Sequence, residues 1–167
     1  MGGQIVAHEF SEEMKNSDTV IAIGNNTIRK KVADSFMGKI SDAICHKSST
    51  ISPTAILGKG TVVMPNACIN ASTKVGEYCI INTASTVDHD CEIESFVHIS
   101  PNVAIAGNVE IGHGTHIGIG AVVIPGIKIG KWVTVGAGAV IIRDIPDYAV
   151  VVGNPGNIIK YKETDYE

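Results

Sequence analysis

A chain of 167 residues, 44% hydrophobic and 18% charged, is long and apolar enough for one domain with a buried core, and too apolar for disorder. A net charge of −4 and a pI near 5.8 give no sign of a nucleic-acid surface or an anionic membrane partner. Aromatics are only 5% and glycines number 18, so aliphatic and small side chains must pack the core.

The N-terminus, MGGQIVAHEF, has no basic stretch followed by an apolar one, which argues against a signal peptide. Gly2 is followed at position 6 by Val6 rather than Ser or Thr, which argues against myristoylation. No apolar run of membrane-spanning length is present. With no C-x-x-C pair among Cys45, Cys68, Cys79 and Cys91, the expectation is a cytoplasmic protein with reduced thiols. Thr19–Ile23 (TVIAI) reads as a buried strand, and Gly24, Asn25 and Asn26 read as a turn. Thr27 is placed to cap a helix through Phe36, with Ile28, Val32 and Phe36 on one face. Residues 1–48 thus form part of an α/β unit. The turn at Gly24 and Asn25 is either a phosphate cradle at a helix N-terminus or an ordinary loop.

From Ile51 to Pro146 the chain divides without insertion into sixteen hexads, from ISPTAI and LGKGTV to VGAGAV and IIRDIP. The first residue is Ile, Leu or Val in all sixteen. The fifth is Ala, Ser, Thr, Cys or Val in fourteen, the exceptions being Ile127 and Ile145. The second is Gly or Asn in eight. Neither a helix nor a flat strand has this period. A short strand plus a sharp turn does, and three such units close a triangular coil. Residues 49–146 are therefore expected to form an all-β parallel β-helix of about five coils, roughly 25 Å tall at the usual strand spacing. First and fifth residues should point inward, third and sixth outward. Second-position Gly and Asn should serve the turns. Cys79 and Cys91, at fifth positions, read as small core fillers, and Cys68 should face out. Residues 147–167 leave the prism through a turn at Asn154-Pro155-Gly156 and a charged C-terminal cap.

Four of the six histidines lie in the hexads: His89 and His113 at third positions, His98 and His116 at sixth. His98 and His116 should stack one coil above the other. His89 sits in Asp88-His89-Asp90, where a carboxylate can orient the ring of a general base in acyl transfer. Zinc binding by converging histidines is the second chemistry open to them. Plain solvent exposure is the third possibility for each.

The segment INTASTVDHDCEIESFVHISPNVAIAGNVEIG, followed by IPGIKIG and VVVGNP, resembles the hexapeptide-repeat sugar O-acyltransferases of the sialic-acid type. It is nearest to the acetyltransferases of nucleotide-linked 4-amino sugars, over about residues 19–160. The resemblance implies a left-handed coil, against the usual right-handed crossover. It implies acetyl-CoA as acyl donor, no metal, and a sugar or nucleotide-sugar acceptor carrying an amine or a hydroxyl. It further implies a homotrimer with its cleft between neighbouring prisms. By that likeness His89 matches the general base and Asp90 its acidic neighbour, where relatives often have Glu. Asn82 and His98 match residues lining the acceptor pocket, and Gly24 and Asn25 lie in the nucleotide-sugar-binding segment. Gly107 matches a glycine whose N–H meets the acetyl carbonyl. Gly118, Ile119 and Ala137 would follow the pantetheine arm and Pro155 the adenine end, in a G-N-P-A motif that here ends in Gly156. VIAIGNNTIRKKVAD matches the later strand and helix of an N-terminal α/β domain whose glycine-rich opening is not in the chain.

Two rival readings stay open. A zinc enzyme like the γ-type carbonic anhydrases requires an H-x-x-x-x-H pair, and the chain offers only His113-Gly-Thr-His116. A non-catalytic prism acting as a scaffold has no need of the outward Asp88-His89-Asp90.

Overall fold

The computed structural model describes residues 10–163; His8, the Gly2 motif and the last four residues of the charged tail lie outside them. Two helices, α1 (Glu12–Asn16) and α2 (Asn26–Ser35), precede a solenoid of two-residue strands. One strand recurs every six residues, from β1 (Ile44–Cys45) to β17 (Val140–Ile141). A longer parallel strand, β18 (Ala149–Val152), follows, and β19 (Asn157–Tyr161) folds back on it in antiparallel pairing. The prism therefore begins five residues earlier than the hexads suggest, at Ile44 rather than residue 49. Every third strand stacks into one face. The first face is β1-β4-β7-β10-β13-β16-β18-β19, the second β2-β5-β8-β11-β14-β17, and the third β3-β6-β9-β12-β15. Among the described residues no helix is long and apolar enough to cross a membrane.

Each strand is the sixth residue of one hexad and the first of the next, as in His98–Ile99. That pairing sends the first-position aliphatic inward, and from Val63 to Ile141 every one of these side chains is buried. Complete burial of such a side chain stabilises by about 1.5–3 kcal/mol. The fifth residue is inward too, and Cys79 and Cys91 are fully buried there. Where it is Thr, the hydroxyl meets the backbone of the neighbouring coil. Thr73 Oγ1 donates to Asp88 O at 2.6 Å and accepts from Cys91 N at 3.2 Å, and Thr61 and Thr115 repeat the pattern. An interior hydroxyl without such partners costs about 1–3 kcal/mol.

The turns differ from expectation in one respect. The left-handed backbone falls on the fourth residue, from Gly60 to Gly138 without exception. It is tolerated there even by Tyr78, Phe96 and Trp132. The fourth-residue N–H donates to the carbonyl of the third residue one coil below, as Asn108 N does to His89 O at 3.0 Å. Second-position glycines answer to close approach instead. A Cβ on Gly112 would lie 2.6 Å from Gly130 C and Lys131 N.

The N-terminal segment is also arranged differently. Thr19–Ile23 makes no strand; Thr19 forms a single parallel bridge with Ile40, and among the described residues no sheet accompanies it. Helix α2 is capped by Asn25, whose side chain accepts from Ile28 N at 3.0 Å, and Thr27 lies inside the helix. Its buried residues are Asn26 and Arg29, whereas Ile28 is exposed. The reason is what α2 docks against. The prism corner between the third and first faces presents backbone carbonyls, and carbonyls call for donors rather than methyl groups.

Candidate active site

Residues whose numbers differ by 18 stack on one corner, so the coil geometry sorts the candidate residues. The first corner, between the first and second faces, carries Thr83, Pro101 and Ile119, tied in a column by Asn102 N to Thr83 O, Gly120 N to Pro101 O and Gly138 N to Ile119 O. The second corner, between the second and third faces, carries Ala71, His89 and Gly107 in a similar column. Within one chain the candidates thus form two groups, on either side of the second face.

On the second corner, His89 Nδ1 lies 2.8 Å from Asp90 Oδ2, and Asp88 Oδ1 accepts His89 N at 2.9 Å and Asn70 Nδ2 at 2.8 Å. Asp90 can sit this close because it occupies the left-handed fourth position. The carboxylate can only accept, so Nδ1 carries the proton and Nε2 keeps its lone pair. The hydrogen bond to Asp90, then the charge of Asp88, holds the imidazole above the usual histidine range. The ring lies over Gly107, where a Cβ would come within 2.7 Å of Cε1 and Nε2. At Glu77, Thr83, His89, His113 and Lys131 the third-position N–H is capped by a side-chain oxygen. Gly107 holds the equivalent position, and among the described residues its N–H meets no acceptor. An imidazole nitrogen with a free lone pair and an open backbone donor thus share one exposed corner.

On the first face, His98 Nδ1 is 3.2 Å from Gly24 O and Nε2 is 3.1 Å from Asn82 Nδ2. The carbonyl fixes the proton on Nδ1, so Nε2 accepts from the Asn82 amide. Burial, then the charge of His116, lowers the His98 pKa to about 4, so the ring is neutral. Both its nitrogens are engaged inside the chain. Asn82 Oδ1 accepts from Thr83 N at 2.8 Å, and its second amide hydrogen meets no acceptor among the described residues. The expected stack is present: the His98 and His116 rings are 4.8 Å apart and 8° from parallel. His116 Nε2 is 2.8 Å from Ser100 Oγ. His113 is half-buried in an aromatic column with Phe96 and Trp132. Neither His113 nor His116 is a freely solvated surface residue. A cleft of about 460 Å³ opens beside this group, lined by Gly24, Asn25, His98, His116, Trp132 and Lys162 among others. A second cleft, about 620 Å³, lies on the third face among Glu92, Glu110, Lys128 and Asp144. No candidate residue lines it, and Lys128 there pairs with Glu110 at 2.8 Å.

The expected donor-binding residues continue the first corner. Gly118 lies under the next coil, where a Cβ would be 2.7 Å from Ala137 N. Ile119 is exposed beside them, and Pro155 is exposed in the turn between β18 and β19. Gly156 is buried; a Cβ there would meet Ile141 Cδ1 at 2.8 Å and Val151 Cγ1 at 3.0 Å, which fits the departure from alanine. Among the described residues no three His, Cys, Asp or Glu side chains are grouped to hold a metal. Sequence reasoning passed over Arg29, which is buried and touches the Gly24 carbonyl. Its spacing of three from Asn26, on one helical face, was the available signal.

A left-handed parallel β-helix built of hexapeptide repeats is the fold of the hexapeptide acyltransferases. Residues 108–143 match the bacterial transferase hexapeptide (six repeats) family. The acetyltransferase domain of PglB from Neisseria gonorrhoeae is 43% identical over 85% of this chain and 70% of that one, with a TM-score of 0.83, and it has been solved with acetyl coenzyme A. PerB from Caulobacter crescentus, in complex with CoA and GDP-perosamine, is 40% identical over 86% of this chain and 70% of its own, with a TM-score of 0.84. WeeI from Acinetobacter baumannii is 30% identical with a TM-score of 0.81, covering 86% of this chain and 71% of that one. The chain belongs to the hexapeptide-repeat acetyltransferase family of PglB and PerB.

Proposed function

We propose that this acetyl-CoA-dependent acyltransferase acetylates the amine of a nucleotide-linked 4-amino sugar, in a site completed between two copies of the chain. The observation that carries the chemistry is His89: Nδ1 is held by Asp90, and Nε2 lies over Gly107 beside an open N–H. The amine nitrogen attacks the thioester carbonyl while His89 Nε2 takes its proton. The carbonyl oxygen becomes an oxyanion, which the Gly107 N–H stabilises. As the C–S bond breaks, the imidazolium returns the proton to the leaving thiolate. The products are the amide and free CoA, with no acyl-enzyme. Asn82 and the Gly24–Asn25 loop hold the acceptor; Gly118, Ile119, Ala137 and Pro155 line the path of the donor. The amine is preferred to a hydroxyl because PerB is described as a perosamine N-acetyltransferase bound to GDP-perosamine.

The reading includes a homotrimer, which the outer surface of the prism supports. The second face, which separates the two groups of candidates, turns Ala104, Val122 and Val140 outward, with Ile124 and Ile142 exposed at its edge. Three prisms packed with these faces inward set the second corner of each copy against the first corner of the next. A location in the cytoplasm follows from the co-substrate.

The test is a CoA-release assay with acetyl-CoA and GDP-, UDP- or dTDP-linked 4-amino sugars. Turnover should fall by about 10²–10⁴-fold in His89→Asn, with acetyl-CoA binding retained. No turnover of any such sugar, or an active His89→Asn enzyme, favours the scaffold or a different base respectively.

A further inference from the structure

Arg29 is 1% exposed and is the most deeply buried charged side chain among the described residues. No carboxylate faces it there. All five of its N–H groups are used instead. Nε donates to Tyr78 O at 2.8 Å; Nη1 donates to Ile23 O at 2.7 Å and to Gly24 O at 3.3 Å; Nη2 donates to Phe96 O and to Asn26 Oδ1, both at 2.8 Å. Tyr78 and Phe96 belong to the prism corner, and Ile23 and Gly24 to the loop before α2. Asn26, held by Arg29, in turn donates to Gly114 O at 3.0 Å and Thr115 O at 3.2 Å. One guanidinium therefore fastens the N-terminal loop to the prism, and one of the carbonyls it fastens is the acceptor for His98 Nδ1.

An uncompensated buried cation is costly, and an apolar side chain of similar volume would serve packing at least as well. A fork with five donors does something packing cannot: it fixes the direction of several carbonyls at once. We infer that Arg29 is a positioning residue for the acceptor half of the site, setting the Gly24 carbonyl so that His98 holds its proton on Nδ1 and aims the Asn82 amide at the acceptor. The charges around the stacked histidines agree with this. Arg29 acts on both rings, and Lys162, donating to Trp132 O, acts on His116. Burial is the largest cause in each ring, and it and these cations favour the neutral form that a fixed tautomer requires. Burial brings Arg29 itself down to about 10, which leaves it charged at neutral pH.

The role rests on the acetyltransferase reading only for its kinetic half, so the test has two readouts. Arg29→Met keeps the stem and removes the fork; Arg29→Lys keeps the charge but cannot span four carbonyls. In ¹⁵N-resolved NMR of the labelled full-length chain, wild-type His98 should show one neutral tautomer protonated at Nδ1, and both variants a mixture. In the assay with GDP-perosamine, the acceptor KM should rise about 10-fold or more, since a misplacement of an ångström can cost as much as 10²-fold. The acetyl-CoA KM should stay within about twofold. Folded variants with an unchanged His98 tautomer overturn the inference, whether or not the sugar is a substrate. An unchanged tautomer together with a raised acceptor KM reduces Arg29 to a packing role. A wild-type enzyme inactive on every sugar, with the tautomer mixed in the variants, faults the functional reading and leaves the positioning in place. Should the Met variant fail to fold, the Lys variant decides.

Discussion

Two carboxylates flank the His89 imidazole in Asp88-His89-Asp90, and the fold gives them different tasks. Asp90 takes the ring nitrogen, while Asp88 takes the backbone N–H and the Asn70 amide. The difference has a pH consequence. His89 is raised above the usual histidine range, first by its bond to Asp90 and then by the charge of Asp88. A general base works only when neutral, so kcat/KM should fall as pH drops through that raised value. Asp90→Asn removes the largest cause of the rise. Its acid limb should move to lower pH, with a reduced plateau because the ring is no longer oriented. A pH–rate profile checks this; a limb that stays put or moves up assigns it to another group. Gly107→Ala is the matching steric test. Its Cβ would fall 2.7 Å from the His89 ring, so activity should drop by about 10²-fold or more, the usual scale for a displaced catalytic group. Unfolding followed by circular dichroism should show the prism intact.

At the scale of the repeated element, the inward residues were legible because a period of six, with aliphatics always first and small residues fifth, admits one way of filling a triangular interior. The left-handed position was only half legible. Gly and Asn fill eight of the sixteen second positions and eight of the sixteen fourth, so composition alone does not single out the fourth, where the positive φ lies and where Tyr78, Phe96 and Trp132 adopt it as well. The two kinds of glycine should respond differently. Gly112→Ala drives a Cβ into backbone atoms of the coil above at 2.6 Å, which neighbouring side chains cannot relieve. It should cost about 1–3 kcal/mol, the range for overpacking. Gly120→Ala meets nothing within 4 Å and bears only the left-handed backbone, at φ +65, that Ala84 already adopts. About 1 kcal/mol is expected there. Equilibrium denaturation of both variants gives the order. Helix α2 was legible as a helix but not as a docked one, because the face it buries is polar and an amphipathic reading looks for apolar side chains.

The whole molecule poses a question that residue numbers alone could have raised. His89 and Gly107 differ by 18 and share a corner, whereas Asn82 and His98 belong to the first face and its edge. The two groups stand on either side of the second face, whose outward Ala104, Val122 and Val140 offer a surface through which a second copy would bring them to one substrate. Subunit mixing turns this into a number. His89→Asn and Asn82→Ala each disable a different half of the proposed site, so each variant alone should be nearly inactive. Unfolded together in equal amounts and refolded, they should form mixed copies of the proposed trimer. In these, an intact second corner meets an intact first corner at about a quarter of the interfaces, given cyclic symmetry and random assembly. Activity should recover to about a quarter of the wild-type value per site. A site contained in one chain gives no recovery, since every chain carries a defect. Recovery at the expected level assigns His89 to one copy and Asn82 to its neighbour, and makes the trimer a condition of catalysis rather than a by-product of a sticky face.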